Sequence, residues 1–440
     1  MERFEGESAN LASEDEIRRR IEVRVNRGDF MIGMLHVAKK ESVHTQEKFV
    51  DQLSAIAASV RAVLETNGLI QKIDYEPASY WPRLRGKAVS FLDGGVANIE
   101  LPSAAPLGIR VGSYTVRPGE SDPSKREQFS IQLMIVDDLY SDDAHFYDDD
   151  FADVAKLRDA ARIISETAAA WHMARDAACP DIVLLHGPLI NPASPYGLEG
   201  FPHYSLGAAR QLLADDDWKG EKDERNFVAL YLELLSRLKA SGRSVYGVVE
   251  RSMSKKATVF EKMLANLQDG GVMRAADVKT LTSKVELYGL NDATLLDVVL
   301  GAGEYVEPVS MNRQGPENKW PDYWKAWIRT YPEAFTTYLK PSELVTPFRV
   351  EGFEGDSNFR DVISLVLHTS RLLPSYGFPV GLDIVDKFAK VPEWMSRGVR
   401  GQHQIVLLKK ALASGDPRAL TFAKRVLAAK GRDWFFRPTA

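Results

Sequence analysis

Lys87-Ala88-Val89-Ser90-Phe91-Leu92-Asp93-Gly94-Gly95 is the stretch on which the reading of this chain turns. Its first six residues have the composition of a buried strand, and the strand is predicted to end at Asp93, where two glycines follow. Glycine permits close backbone approach, so a carboxylate here projects from a sheet edge toward a metal ion and a phosphate. An isolated Asp-Gly is more often a simple turn; the sharper reading depends on what else the fold brings near.

Working outward, Ile109 to Arg117 and Gln128 to Val136 alternate as two further strands, which gives an antiparallel meander. A helix is predicted over 151–178, with Phe151, Val154, Leu157, Ala161, Ile164, Ala168 and Trp171 on one stripe. The run Ile182-Val183-Leu184-Leu185 reads as a fully buried strand. A helix over 227–240, a strand over 245–249 and a helix over 257–267 complete the order β-β-β-α-β-α-β-α. That order is the skeleton of a ribonuclease H-like α/β fold, a mixed sheet flanked by helices. Upstream, Ser13 and Glu16 form a capping box, and Phe49, Leu53, Ile56, Val60 and Leu64 mark a helix over 46–67. Together these predict an N-terminal helical extension.

Composition sets the outer limits. The chain has 440 residues, 45% of them apolar, enough for a substantial core. Its 56 basic and 61 acidic side chains leave a net charge of −5, so no bulk positive field coats nucleic acid. Any phosphate-binding surface must be local. From Asp137 to Asp153 there are eight Asp and no Lys or Arg, read as a solvated loop. From Lys387 to Ala440 twelve Lys or Arg stand against three acids. There a helical period over 404–429 buries Ile405, Leu408, Leu412, Leu420, Ala423 and Leu427 and leaves Lys409, Lys410, Arg418, Lys424, Arg425 and Lys430 outside. A single cysteine, Cys179, rules out an internal disulfide, and no apolar run is long enough to span a bilayer, so a cytoplasmic protein is expected.

The company that Asp93 needs is Glu166, in the middle of the long helix, and His186, at the end of the strand 182–185. Asp93 and His186 each follow an apolar strand and precede Gly, so both emerge at the ends of neighbouring strands. A lone Glu of this kind is ordinarily solvated, and a lone His ordinarily a satisfied core group. Asp386, on a short helix over 382–390, is a further acidic candidate; Asp383 stands one turn earlier and suits the helix macrodipole.

The Asp-Gly-Gly at 93–95, the Glu166 helix, Leu185-His186-Gly187-Pro188-Leu189, Gly247-Val248-Val249-Glu250-Arg251-Ser252 and the late Phe378-Pro379 segment with its helix resemble the NurA nuclease domain. The resemblance covers about 85–395, leaving 1–84 as the helical extension and 396–440 as a basic helical tail. It implies a Mn²⁺- or Mg²⁺-dependent DNA nuclease, an exonuclease with single-strand endonuclease activity as a further expectation. The implied partners are DNA, the hexameric FtsK-like ATPase HerA and a second copy of the chain, in the processing of DNA ends. Asp93 matches the family's first metal-binding Asp and Glu166 its helix Glu. His186 stands where the family strand commonly has Asp, Phe378 where an archaeal pattern has Tyr, and Asp386 where it has His. The implied catalytic and metal set is therefore Asp93, Glu166, His186 and Asp386. In a two-ion arrangement, with ions about 4 Å apart, Asp93 bridges, Glu166 and Asp386 are terminal ligands, and His186 ligates or orients the water.

DNA contact is expected from Trp324, Lys325 and Arg329, within an aromatic cluster that includes Trp320, Tyr323, Trp327 and Tyr331, and from Lys409 and Lys410. Aromatics at this spacing equally suit a helix packing face. The closing Trp434-Phe435-Phe436-Arg437-Pro438 reads as a docking strip. No Gly-x-x-x-x-Gly-Lys-Ser/Thr loop occurs, so any ATP-driven motor must come from a partner. The rival to a nuclease is a non-catalytic adaptor of the same fold, in which the acidic groups lie apart or are neutralised by Lys or Arg.

Overall fold

The computed structural model describes residues 29–46, 52–98, 107–136 and 151–428, with short internal exceptions at 177, 194–195, 197–202, 252–253, 255, 313–319, 321 and 374, together with 15, 18, 19 and 22. The capping box at Ser13, the acidic run 137–150 and the closing aromatic strip lie outside the described residues.

One mixed sheet organises the chain. Its strands are β1 Ile70–Lys72, β2 Val89–Asn98, β3 Leu107–Val116, β4 Glu127–Val136, β5 Ile182–His186, β6 Ser244–Val249, β7 Glu304–Val306, β8 Val309–Met311, β9 Ala334–Leu339 and β10 Phe348–Phe353. They lie in the order β1-β7-β9-β10-β6-β5-β2-β3-β4, with β8 also paired to β9. β2, β3 and β4 form the expected meander, while β5 and β6 run parallel to β2. This five-strand unit has the ribonuclease H-like topology. The sheet then continues beyond β6 through antiparallel β10, β9, β7 and β1, strands the sequence pattern did not reveal.

Helices cover both faces. On one lies α3 (Phe151–Arg175), whose Ala160, Ala161, Ile164 and Ala168 pack on Leu92, Ile109, Val111, Val183 and Leu185. On the other lie α9 (Phe359–Ser370) and α10 (Val380–Ala389), whose Leu382 and Val385 join Phe91, Leu184 and Val248. The strand alternation that sends Leu92 and Leu185 toward α3 sends Phe91 and Leu184 toward α10. A third core cluster holds Leu53, Ile56, Val60 and Leu64 of α2 (Gln52–Thr66), preceded by α1 (Asp29–Gln46), against Phe260, Leu264, Leu295 and Leu296. Because β1 pairs with β7 and α2 enters this core, residues 52–72 are built into the body rather than appended to it.

The basic C-terminal helix is two helices, α11 (Glu393–Ser414) and α12 (Pro417–Ala428), separated at Gly415 with φ +65°. The predicted buried stripe forms only in part: Ala423 is buried and Leu408 and Leu420 are half-buried, but Ile405, Leu412 and Leu427 are exposed, and Ala411, outside the stripe, is buried. Lys409 and Lys410 are exposed, as predicted. No helix among the described residues is long and apolar enough to cross a membrane.

Candidate metal centre

Asp93 is not at the end of β2; the strand runs on through both glycines to Asn98. The two glycines serve the helices instead. A Cβ on Gly94 would stand 2.5 Å from Glu166 Oε1, on the α3 side, and one on Gly95 would collide with the Ala389 carbonyl oxygen, on the α10 side. What does end at this point is the parallel pairing with β5: Leu92 is opposite Leu185, and beyond it β2 pairs only with β3. Asp93 and His186 are thus the next residues along two adjacent parallel strands, on the face that carries Phe91 and Leu184. Adjacency in register brings them together.

The Asp93 carboxylate is buried; Oδ1 accepts from the Gly94 amide at 2.8 Å, and Oδ2 lies 3.2 Å from His186 Nδ1. With Asp93 ionised, Nδ1–H donates, which fixes the ring orientation. Phe378, buried at the entry to α10, packs its ring 5.4 Å from the imidazole and 5.5 Å from Phe348. Burial opposes a charge on His186, but the hydrogen bond and charge of Asp93, then Asp386 and Glu250, outweigh it and raise the imidazole above its ordinary value.

Asp386 comes from α10 on the same face. Asp93, His186 and Asp386 each offer a ligand atom, all within 4.8 Å of one another. Asp386 Oδ2 accepts from Lys390 Nζ at 2.7 Å. Asp383 has other duties, accepting from Tyr376 Oη at 2.9 Å and Lys387 Nζ at 2.6 Å. The Lys387 hydrogen bond holds its carboxyl below the ordinary range despite some burial.

Glu166 stands on the other side of β2, beside Gly94, and is not among the three convergent donors. Its Oε1 accepts from Arg162 Nη1 at 2.5 Å, one turn earlier on α3. Burial pushes this carboxyl up to about 7, against the attraction of Arg162 and reinforced by the charge of Asp93. The predicted four-residue set is therefore three donors on one face and a guanidinium-bound carboxylate on the other.

The predicted DNA-binding residues are scattered. Trp324 is 3% exposed, on α8 (Asp322–Ile328), and packs its ring edge-on to Trp327, so it presents no face to a base. Trp320 and Tyr331 are buried in the same core, where the Tyr331 ring lies 6.1 Å from Tyr231. The packing-face alternative holds for this cluster because α8 covers α5 (Phe227–Ala240). Lys325 pairs with Asp322 at 2.5 Å, and Arg329 is exposed. Two residues near the centre had no role in the sequence reading, Arg162 and Lys390, and Glu250 stood there only as part of the Gly247–Ser252 motif. The spacings Arg162/Glu166 and Asp386/Lys390 are i,i+4 pairs readable in the sequence.

The fold and site define a ribonuclease H-like α/β protein with carboxylates and an imidazole gathered where its parallel strands end. The NurA domain model matches residues 87–391, so the chain belongs to the NurA domain family. Among solved structures it is similar to the NurA nuclease from Sulfolobus solfataricus, at 13% identity and TM-score 0.49, covering 89% of this chain and 98% of that one. It is also similar to a NurA structure bound to dAMP and manganese, at 13% identity, TM-score 0.37 and the same coverages. Human ENDOV matches at 10% identity and TM-score 0.30, covering 79% of this chain and 98% of that one. No curated protein matches the sequence.

Proposed function

We propose that this chain is a divalent-metal-dependent nuclease that hydrolyses phosphodiester bonds in DNA. The observation that carries the reading is the convergence of Asp93, His186 and Asp386 at the end of β2–β5 pairing. Two hard carboxylate oxygens and one imidazole nitrogen fit Mn²⁺, or Mg²⁺ with retained water, better than Ca²⁺. A bound cation supplies Lewis-acid stabilisation of the charge that develops on phosphoryl oxygens. Asp93 and Asp386 hold the cation from β2 and α10. His186, fixed by Asp93 and Phe378, ligates it or orients the attacking water. Glu166, held by Arg162, stands behind Gly94 without joining the donor trio.

The wider setting we propose, which family membership supports, is end processing beside a HerA-type hexameric ATPase, with exonucleolytic action and a homodimer. The phosphate contacts in this reading are Lys325, Arg329, Lys409 and Lys410, without Trp324.

The test is cleavage of labelled single- and double-stranded DNA with Mn²⁺, with Mg²⁺ and with chelator, beside a folded Asp93→Ala variant. Loss of an outer-shell partner costs 10–100-fold, so removal of a ligand is expected to cost at least roughly a hundredfold. A variant that cleaves at the wild-type rate rejects the assignment.

One observation favours the adaptor reading: Glu166 and Asp386 each already have a cationic partner, Arg162 and Lys390. The two readings part on binding of Mn²⁺, which an adaptor does not show.

A further inference from the structure

Lys390 combines a fixed root with a free tip. Its backbone follows α10 directly, where the preceding Ala389 carbonyl lies against Gly95, two residues from Asp93. Its own carbonyl accepts from Arg110 Nη1 at 3.3 Å, and the Arg110 guanidinium lies 5.2 Å over the Phe388 ring. The side chain is 68% exposed, yet its ammonium sits on Asp386, one of the three convergent donors. Glu166, behind Gly94, is another carboxylate near Asp93 with a cationic partner. Its Arg162 partner is only 27% exposed and cannot leave without stranding a buried charge.

An ammonium and a divalent ion compete for the lone pairs of one carboxylate. The exposed lysine is the weaker competitor, because such pairs are worth little in water. Once displaced, its ammonium stays tethered to a backbone held by Arg110, close to Asp386, where it offers a positive charge to a backbone phosphate.

Building on the metal site proposed above, we propose that Lys390 is an exchangeable counter-cation. It holds Asp386, yields it to the divalent ion, and then takes a backbone phosphate of the nucleic acid. Metal and nucleic acid therefore bind cooperatively, each favouring the state in which Lys390 has left Asp386. Lys390 is a positioning residue in this scheme, and no bond is made or broken at it.

The experiment is a Mn²⁺ titration followed by the electron paramagnetic resonance of the free ion. It uses the wild-type chain, Lys390→Ala and Lys390→Arg, each with and without a short single-stranded phosphorothioate oligonucleotide. In the wild type the oligonucleotide is expected to tighten Mn²⁺ binding. Lys390→Ala is expected to bind Mn²⁺ alone roughly twofold to fivefold more tightly, the worth of an exposed ion pair, and to lose the tightening by the oligonucleotide. The salt dependence of its oligonucleotide binding is expected to fall by about one phosphate contact. Lys390→Arg keeps both wild-type behaviours. If Lys390→Ala binds Mn²⁺ as the wild type does, the exchange is overturned; if it binds more tightly but keeps the full coupling, the phosphate contact is overturned. A wild-type chain that binds no Mn²⁺ refutes the metal site itself, and this proposal with it, a failure distinct from either of the others.

Discussion

Two helices press on opposite faces of β2 at neighbouring glycines, and each presents a carboxylate to a cation one turn away. On α3 the pair is Arg162 and Glu166, with side chains 27% and 14% exposed; at the end of α10 it is Asp386 and Lys390, at 29% and 68%. Spacing is the same in both, i to i+4, and the separations are similar. Their surroundings differ. Glu166 lies largely among core residues behind Gly94, where loss of its partner leaves a charge that water hydrates poorly, whereas water readily replaces the ammonium at Asp386. One helical motif is thus a clamp on one face of the strand and a loose counter-ion on the other. Burial of the pair, not its spacing, decides which.

The largest expected effect comes from breaking the clamp. Arg162→Met leaves Glu166 close to Asp93 with no neutralising cation and is expected to cost about 3 kcal/mol at alkaline pH, the lower end for breaking a buried pair. Burial raises the Glu166 carboxyl to about 7 from an ordinary 4.5. The stability tied to its protonated form is therefore full below the ordinary value and lost as pH rises through about 7. The penalty of Arg162→Met accordingly shrinks in acid. Adding Glu166→Gln to the same chain is expected to recover most of the loss. Urea unfolding across pH measures this, and a loss under about 1 kcal/mol at alkaline pH would show that Glu166 is better hydrated than its position implies.

A third carboxylate sharpens the comparison because it is buried with no cation one turn away. Asp292, the first residue of α7 (Asp292–Val299), is 1% exposed and accepts from the Val259 and Phe260 amides at 3.1 and 2.9 Å, at the start of α6 (Thr258–Asp269). Burial pushes its carboxyl up to about 6, although the two amides and, farther off, Arg349 favour the charge. The sign follows: its contribution to stability is complete below the ordinary 3.8 and disappears as pH rises through about 6. Relative to Asp292→Asn, which cannot ionise, the wild type is expected to lose on the order of 2 kcal/mol between those limits. Parallel pH profiles for the two proteins would mean that the helix N-terminus alone suffices to hold a buried charge.

Much of this geometry is readable in the sequence, for a physical reason. Alternation in 87–92 and 182–185 fixes which side chains share a face, and a parallel pairing of those two strands then puts Asp93 and His186 side by side. Gly94 and Gly95 read as a strand end because glycine is ordinarily poor in strands; here helices approach too closely for any Cβ, which no local pattern reports. The hairpin β9–β10 went unread because Thr336, Thr337, Arg349 and Glu351 blur the apolar period, although all four are buried. β1, β7 and β8 have three residues each and carry no period at all. Asp386 was readable as an acidic candidate on a short helix, but its place beside Asp93 came through family resemblance alone, since a helix lying across the sheet from a distant part of the chain leaves no local signature.

The smallest expected effect is the most informative about the loose pair. Lys390→Ala removes an ammonium that is already mostly in water, so the folded state should lose about 0.5 kcal/mol or less. The same variant also removes the aliphatic stem, but with 68% of the side chain exposed the stem covers little apolar surface. Unfolding in urea at neutral pH, beside Arg162→Met, sets the two pairs on one scale. A cost near 0.5 kcal/mol keeps Asp386 available to a competing cation at little expense. A cost above about 1.5 kcal/mol would make Lys390 as much a clamp as Arg162, and an ammonium held that firmly would not exchange.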